Sequence, residues 1–117
     1  VKEGLEVGIC GTGPVWTRIE ESLQGHQRLR VRWLGKSLAE AAREIKMLSP
    51  HAVLFEINQA ETAVVAAIQR IFTKTKLIGL DPESEVITIY PAGRAVFSME
   101  NLPQVIIGDG PAGKTLK

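Results

Sequence analysis

Short apolar runs alternate with helical periodicities along the first two-thirds of the chain. Leu5-Glu-Val-Gly-Ile-Cys10 reads as a strand that stops at Gly11-Thr12-Gly13, and Pro14 then occupies a favourable first helical position. Val15, Trp16, Ile19 and Leu23 recur at helical spacing until Gly25, a natural C-terminal stop. Leu29, Val31 and Trp33 alternate with Arg28, Arg30 and Arg32, the period-2 signature of a strand with one wet face. Ser37 and Glu40 stand at capping-box spacing, and Leu38, Ala41, Ala42, Ile45 and Leu48 form one apolar stripe that ends before Pro50. Ala52-Val-Leu-Phe55 is a continuous apolar run, suited to a strand buried on both faces. Asn58 and Glu61 repeat the capping spacing, Val64, Ala67, Ile68, Ile71 and Phe72 line a third helix, and Leu77-Ile-Gly-Leu80 is a fourth strand.

This alternation predicts an α/β fold, flavodoxin-like, with three α-β-α layers and a mostly parallel sheet. After the fourth strand the pattern changes. Asp81-Pro-Glu-Ser84 carries turn chemistry, and Val86-Ile-Thr-Ile-Tyr90 follows too soon for a crossover helix, so a C-terminal antiparallel hairpin is expected. A further strand is expected over Ala95 to Ser98, after Pro91-Ala-Gly93. A short last helix is expected from about Asn101, because Pro103 is tolerated only in a first turn. Residues 1–107 thus read as one domain and 108–117 as a flexible tail.

Composition narrows the chemistry. A chain of 117 residues fits one domain with its own core, and 44% hydrophobic with 23% charged residues excludes a disordered or low-complexity chain. A net charge of +1 supplies no global field for nucleic acid. No apolar run approaches the roughly 20 residues that span a bilayer, and no signal-peptide pattern opens the sequence, so no membrane is expected and a cytoplasmic location is the default. Cys10 is the sole cysteine, which excludes an internal disulfide and a cysteine zinc site, and His26 and His51 are too far apart for a local metal motif. Neither a metal nor a cofactor is expected.

Pro50-His-Ala-Val-Leu-Phe-Glu-Ile-Asn-Gln-Ala60 resembles the third-strand signature of response-regulator receiver domains, with Glu56 at the phospho-acceptor aspartate position. Gly11 and Thr12 fall where that family carries its acidic metal-binding pair, and Pro14 matches a proline common just after it. The resemblance covers about residues 5 to 80 and implies a strand order 2-1-3-4 with an active face at the strand C-termini. Phosphoryl transfer there needs an aspartate nucleophile and carboxylates that hold magnesium against the phosphate. The chain's two aspartates, Asp81 and Asp109, lie at neither place; Asp81 takes the family's hydroxyl position, and the later lysine strand is not recognisable. The resemblance therefore implies a degenerate pseudo-receiver that is not phosphorylated in the usual way. Its expected role is a non-enzymatic regulatory or interaction module that binds a protein partner or itself, with Val86 to Tyr90 as the hairpin edge for a homodimer. Glu56 either imitates a phosphorylated state or merely caps the Asn58 turn or faces solvent.

Other motifs offer competing chemistry. Gly11-Thr12-Gly13 after a first strand suits a nucleotide- or anion-binding loop, the alternative reading, because glycines allow backbone approach and the helix N-terminus supplies donors. Against it, Trp16 occupies the third glycine position, where its bulk disturbs close helix–strand contact, and no acid closes the second strand. Gly108-Asp-Gly-Pro-Ala-Gly-Lys-Thr115 matches P-loop spacing but leaves only Leu116 and Lys117 for the required helix. Arg28, Arg30 and Arg32 are the one concentrated charge, read as protection of an edge strand in preference to nucleic-acid contact. No GxSxG elbow or paired acid and base is present. Cys10 reads as a small core residue, with some thiol activation expected from the neighbouring helix N-terminus. Gly8 marks close packing, and Trp16 and Trp33 read as core or interface filler.

Overall fold

A computed structural model of the chain describes residues 4–57, 62–72, 74–81, 86–90, 93–96 and 102–107. These form a six-stranded sheet in the order β2-β1-β3-β4-β5-β6. The strands are β1 (Leu5–Cys10), β2 (Leu29–Gly35), β3 (Ala52–Glu56), β4 (Lys76–Asp81), β5 (Val86–Tyr90) and β6 (Gly93–Val96). The first four pair in parallel, β5 runs antiparallel to β4, and β6 runs antiparallel to β5. The helices are α1 (Pro14–Gln24), α2 (Leu38–Leu48), α3 (Thr62–Ile71) and α4 (Leu102–Ile107). The fold is α/β, flavodoxin-like and three-layered, as the alternation of strands and helices requires. Among the described residues no helix is long and apolar enough to cross a membrane.

Because successive strand side chains point to opposite faces, the sheet feeds two separate cores. Val7 and Ile9 of β1, Leu54 of β3 and Ile78 and Leu80 of β4 face α1 and α4, against Trp16, Ile19, Leu23, Leu102 and Ile106. Cys10, Val53, Phe55 and Leu77 face the other way, against Leu38, Ala41 and Ile45 of α2 and Val65 and Ile68 of α3. The central strands are therefore apolar on both sides, which explains the uninterrupted Ala52–Phe55 run.

Local chemistry sets the helix ends. Ser37 caps α2 by accepting the Glu40 N–H at 3.2 Å, while the Glu40 carboxylate accepts the Lys36 N–H at 2.9 Å, one residue earlier than the reciprocal capping box places it. Ser49 ends α2 in the left-handed region at φ 46°, and Pro50 prevents continuation. The short α4 carries Pro103 in its first turn, and its last carbonyls are held from the sheet. Lys76 Nζ donates to Val105 O at 2.9 Å and Ile106 O at 3.3 Å, and His51 Nε2 donates to Ile106 O at 2.8 Å. A carbonyl only accepts, so His51 carries a proton on Nε2.

Several expectations need correction. The last strand, Gly93–Val96, begins two residues before the expected Ala95, and Phe97 and Ser98 lie outside the described residues. It pairs with β5, so Val86–Tyr90 lies inside the sheet and is not the open edge for a twin; the hairpin-side edge is β6. Of the reading as core or interface filler, core does not hold for Trp33: it is 42% exposed on the edge strand β2, level with Ile9, and the alternation that puts it on that face puts Leu34 on the other, over Gly8. The Val64-Ala67-Ile68-Ile71 stripe of α3 is only partly buried, and Val65 takes part of its place in the core. The capping pair Asn58 and Glu61, the turn residues Pro82–Ser84 and the tail 108–117 lie outside the described residues.

Candidate functional site

The receiver resemblance singles out Gly11, Thr12 and Glu56, and the topology brings them to one corner. Cys10 pairs with Phe55 across the parallel β1–β3 ladder, so the residues that follow, Gly11 and Glu56, emerge side by side at the strand C-termini. This is the point where the strand order reverses, from which β1 leads to a helix on one face and β3 to a helix on the other. Open α/β sheets have a crevice there, and ligands generally enter it.

Here the crevice holds a side chain of the protein itself. Trp16, in the first turn of α1 and 1% exposed, turns its indole down across Gly11. Its Nε1–H donates to Glu56 Oε1 at 3.2 Å. A Cβ on Gly11 would lie 2.5 Å from Trp16 Nε1 and 2.6 Å from Cε2, closer than real contacts come. Gly11 is thus a packing glycine: the ring fits because position 11 has no side chain. The expected clash between Trp16 and a close helix–strand approach does not occur, since the missing Cβ gives the ring its space. An acid at position 11, as in receiver domains, and this indole are mutually exclusive.

Thr12 and Gly13 stand exposed at the rim. Gly13 is the N-cap of α1 at φ 103°, a backbone that an L side chain rarely adopts, and no side chain caps the helix. The loop is nonetheless a thin anion cradle. Pro14 has no N–H, the Trp16 N–H is turned onto Gly13 O at 3.1 Å, and the Gly11 N–H donates to Gly35 O at 3.1 Å. Asp81 ends β4, opposite Val86 and one residue beyond Leu80, which is level with Glu56. Among the described residues no group of three or more His, Cys, Asp or Glu side chains converges as a metal-binding set.

Cys10, immediately before Gly11, is fully buried. Burial, with a smaller contribution from the Glu40 charge, pushes its thiol up to about 12 from 9.0. The expected activation by the helix N-terminus is therefore outweighed: removing the thiolate from water costs more than the dipole returns. Gly8 has the packing role expected of it, since a Cβ there would run into Leu34 Cδ1. The arginine stripe is tied down locally. Arg30 and Arg32 of the edge strand β2 reach the Glu6 carboxylate of β1 at 3.5 and 3.4 Å.

Two features of the molecule were not legible as site chemistry. One is Trp16, whose ring reads as filler but whose N–H joins the two halves of the corner. The pairing of a glycine at a strand end with a tryptophan in the following helical turn is the sequence signal that bears on it. The other is the apolar surface left between α2 and α3. In comparisons with protein-family models, curated proteins and solved structures, the chain matches none.

Proposed function

We propose that the chain is a non-enzymatic, receiver-like regulatory or protein-interaction module of the cytoplasm, in which the phospho-acceptor corner is closed by the protein's own tryptophan. The observation that carries this reading is the Trp16–Glu56 hydrogen bond of 3.2 Å, with the indole seated on Gly11. A carboxylate that accepts a phosphoryl group needs open approach to one oxygen and a cation held beside it by further acids. At this corner Glu56 Oε1 accepts an indole N–H, Gly11 and Thr12 stand where the further acids belong, and the ring takes the space over Gly11. A glutamate held this way presents one fixed state, so any message the domain carries is read by a partner from its surface.

The test is incubation of the chain with acetyl phosphate and magnesium, followed by intact-mass measurement and tryptophan emission. The expected result is an unmodified mass and unchanged emission. An acid-labile phosphoryl adduct that turns over would overturn the reading. Titration with magnesium–ATP addresses the alternative loop chemistry at Gly11, Thr12 and Gly13. A flat Trp16 signal to millimolar nucleotide removes it, and a saturable micromolar change would replace the module reading with a nucleotide site.

A further inference from the structure

The apolar stripe of α3, Val64, Ala67, Ile68 and Ile71, has the i, i+3, i+4, i+7 spacing of a helix face made to be covered. Only part of it is covered. Ile68 reaches the core, Val64 is half-buried, Ala67 is exposed, and Ile71 is 68% exposed. Opposite stand Ala39 and Ala42 of α2, two small side chains that leave a groove of about 600 Å³ between the helices. Ala42, Ile68 and Phe72 line it as well. Met47, 74% exposed, follows Arg43 by one helical turn but lies outside the groove, on the flank of α2 that carries Glu40 and Glu44.

Among the described residues, the charged side chains that line this groove have one sign: Arg43 and Lys46 of α2 line it, and no described acid does. Among the described residues neither cation enters a hydrogen bond or an ion pair, in contrast to Arg30 and Arg32, which share Glu6. The two acids of α2 are turned elsewhere. At 100° per residue, Glu40 and Glu44 fall on the opposite flank of the helix, and Glu40 is occupied with the Lys36 N–H. Exposed Arg70 and Lys74 add positive charge at the end where Ile71 stands.

We infer that the groove between α2 and α3 receives an amphipathic helix of a partner protein that carries a leucine-type stripe flanked by carboxylates. The inference rests on the interaction-module reading and adds to it the face used and the chemistry of the partner. Two helices have no free backbone edge to pair with a strand, so recognition falls to side chains. A third helix satisfies its own backbone while it inserts an apolar stripe, the helix-in-groove mode. Carboxylates on its flanks meet Arg43 and Lys46, and a partner with cationic flanks would be turned away by the same two cations.

The probe is a synthetic helical peptide with leucines at i, i+3, i+4 and i+7 and glutamates on both flanks, titrated into the full chain and followed by amide chemical shifts. Its counterpart has lysines in place of the glutamates. The expected result is a saturable shift at Ala42, Arg43, Lys46, Ala67 and Ile71 with the glutamate peptide, weakened by salt, and no shift with the lysine peptide. Ile71→Ser should weaken binding by about tenfold, as the loss of a central apolar anchor does. Arg43→Glu with Lys46→Glu should exchange the preference between the peptides. Unchanged Trp16 emission in these variants confirms that they are folded. Equal binding of both peptides, or shifts away from the groove, overturns the inference. So do concentration-dependent shifts without peptide, which assign the groove to a second copy, or Ile71-dependent binding to phosphatidylserine vesicles, which assigns it to a lipid surface. A phosphoryl adduct on the chain would sink the module reading whatever the peptides do. A failed titration with no adduct sinks the groove alone.

Discussion

On the α1/α4 side of the sheet, Trp16, Ile19 and Leu23 of α1 and Leu102 and Ile106 of α4 are all buried, and α4 is fastened at its C-terminus by Lys76 and His51. On the α2/α3 side, the helices bury Leu38, Ala41, Ile45, Val65 and Ile68 but leave Ile71 and Met47 68% and 74% exposed. Both sides start from apolar strands of the same sheet. They differ in what each helix stripe is used for. Apart from Trp33, 42% exposed on the edge strand, the first side spends its bulk internally, to the point of seating an indole over Gly11. The second side retains apolar surface at the solvent. Exposed large apolar residues carry meaning when they line a concave surface, and here Ile71 lines a groove whose cations, Arg43 and Lys46, have no partner among the described residues. The comparison locates a closed corner and an open face in one small domain.

Substitutions separate the two sides, and the largest effect belongs to the closed corner. Trp16→Ala should cost about 3–5 kcal/mol in urea unfolding, the loss of a large core aromatic plus the cavity it leaves. Next, Gly11→Ala should cost about 1–3 kcal/mol through overpacking against the indole, with a red shift in tryptophan emission. In a Trp16→Ala background the same Gly11→Ala change should cost much less, because the ring it collides with is gone. Additive costs in that double-mutant cycle would disprove the contact.

The buried thiol gives an alkaline signature on the α2/α3 side. The native thiol stays protonated up to about 12 while the unfolded one ionises near 9.0. The native state therefore binds more protons in that interval, and stability falls as pH rises through it, by up to about 1.4 kcal/mol per pH unit, while below it the group has no effect. Cys10→Ala should abolish this component, so the difference between the two stability–pH curves should grow from pH 9 upward. Native Cys10 should also resist thiol reagents at neutral pH, reacting only on unfolding. The smallest effect is expected at the open face. Ile71→Ser should change stability by no more than about 0.5 kcal/mol, since little is buried there. A loss comparable to that of Trp16→Ala would mean that Ile71 supports the core and the two sides do not differ.

Much of the architecture was legible in the residue pattern because it rests on short-range rules. Periodicities of 3.6 and 2 mark the first seven elements. The short spacing between Leu80 and Val86 rules out a crossover and gives the antiparallel β4–β5 pair. Pro103 marks the first turn of α4. The β6 boundary moved because a glycine-led strand has no alternating apolar signal at its start. Trp33 is exposed on the edge strand β2, and periodicity records which face a residue takes but not whether a neighbouring element covers it.

Residues Leu5 to Leu80 carry the alternation that makes an open α/β sheet, and with it the position of Gly11 and Glu56 at strand C-termini. That much follows from local backbone preference and from the need of each apolar face to be buried. The contact that closes the corner joins residues 40 positions apart, and it exists because parallel pairing sets Cys10 level with Phe55 and α1 returns its first turn over the gap. The rotation of α3 about its axis, which buries Val65 together with Ile68 and exposes Ile71, is likewise not given by the stripe on α3. Distances across the sheet and between helices are summed over many small packing choices, so the crevice and the groove emerge only when all the elements are assembled.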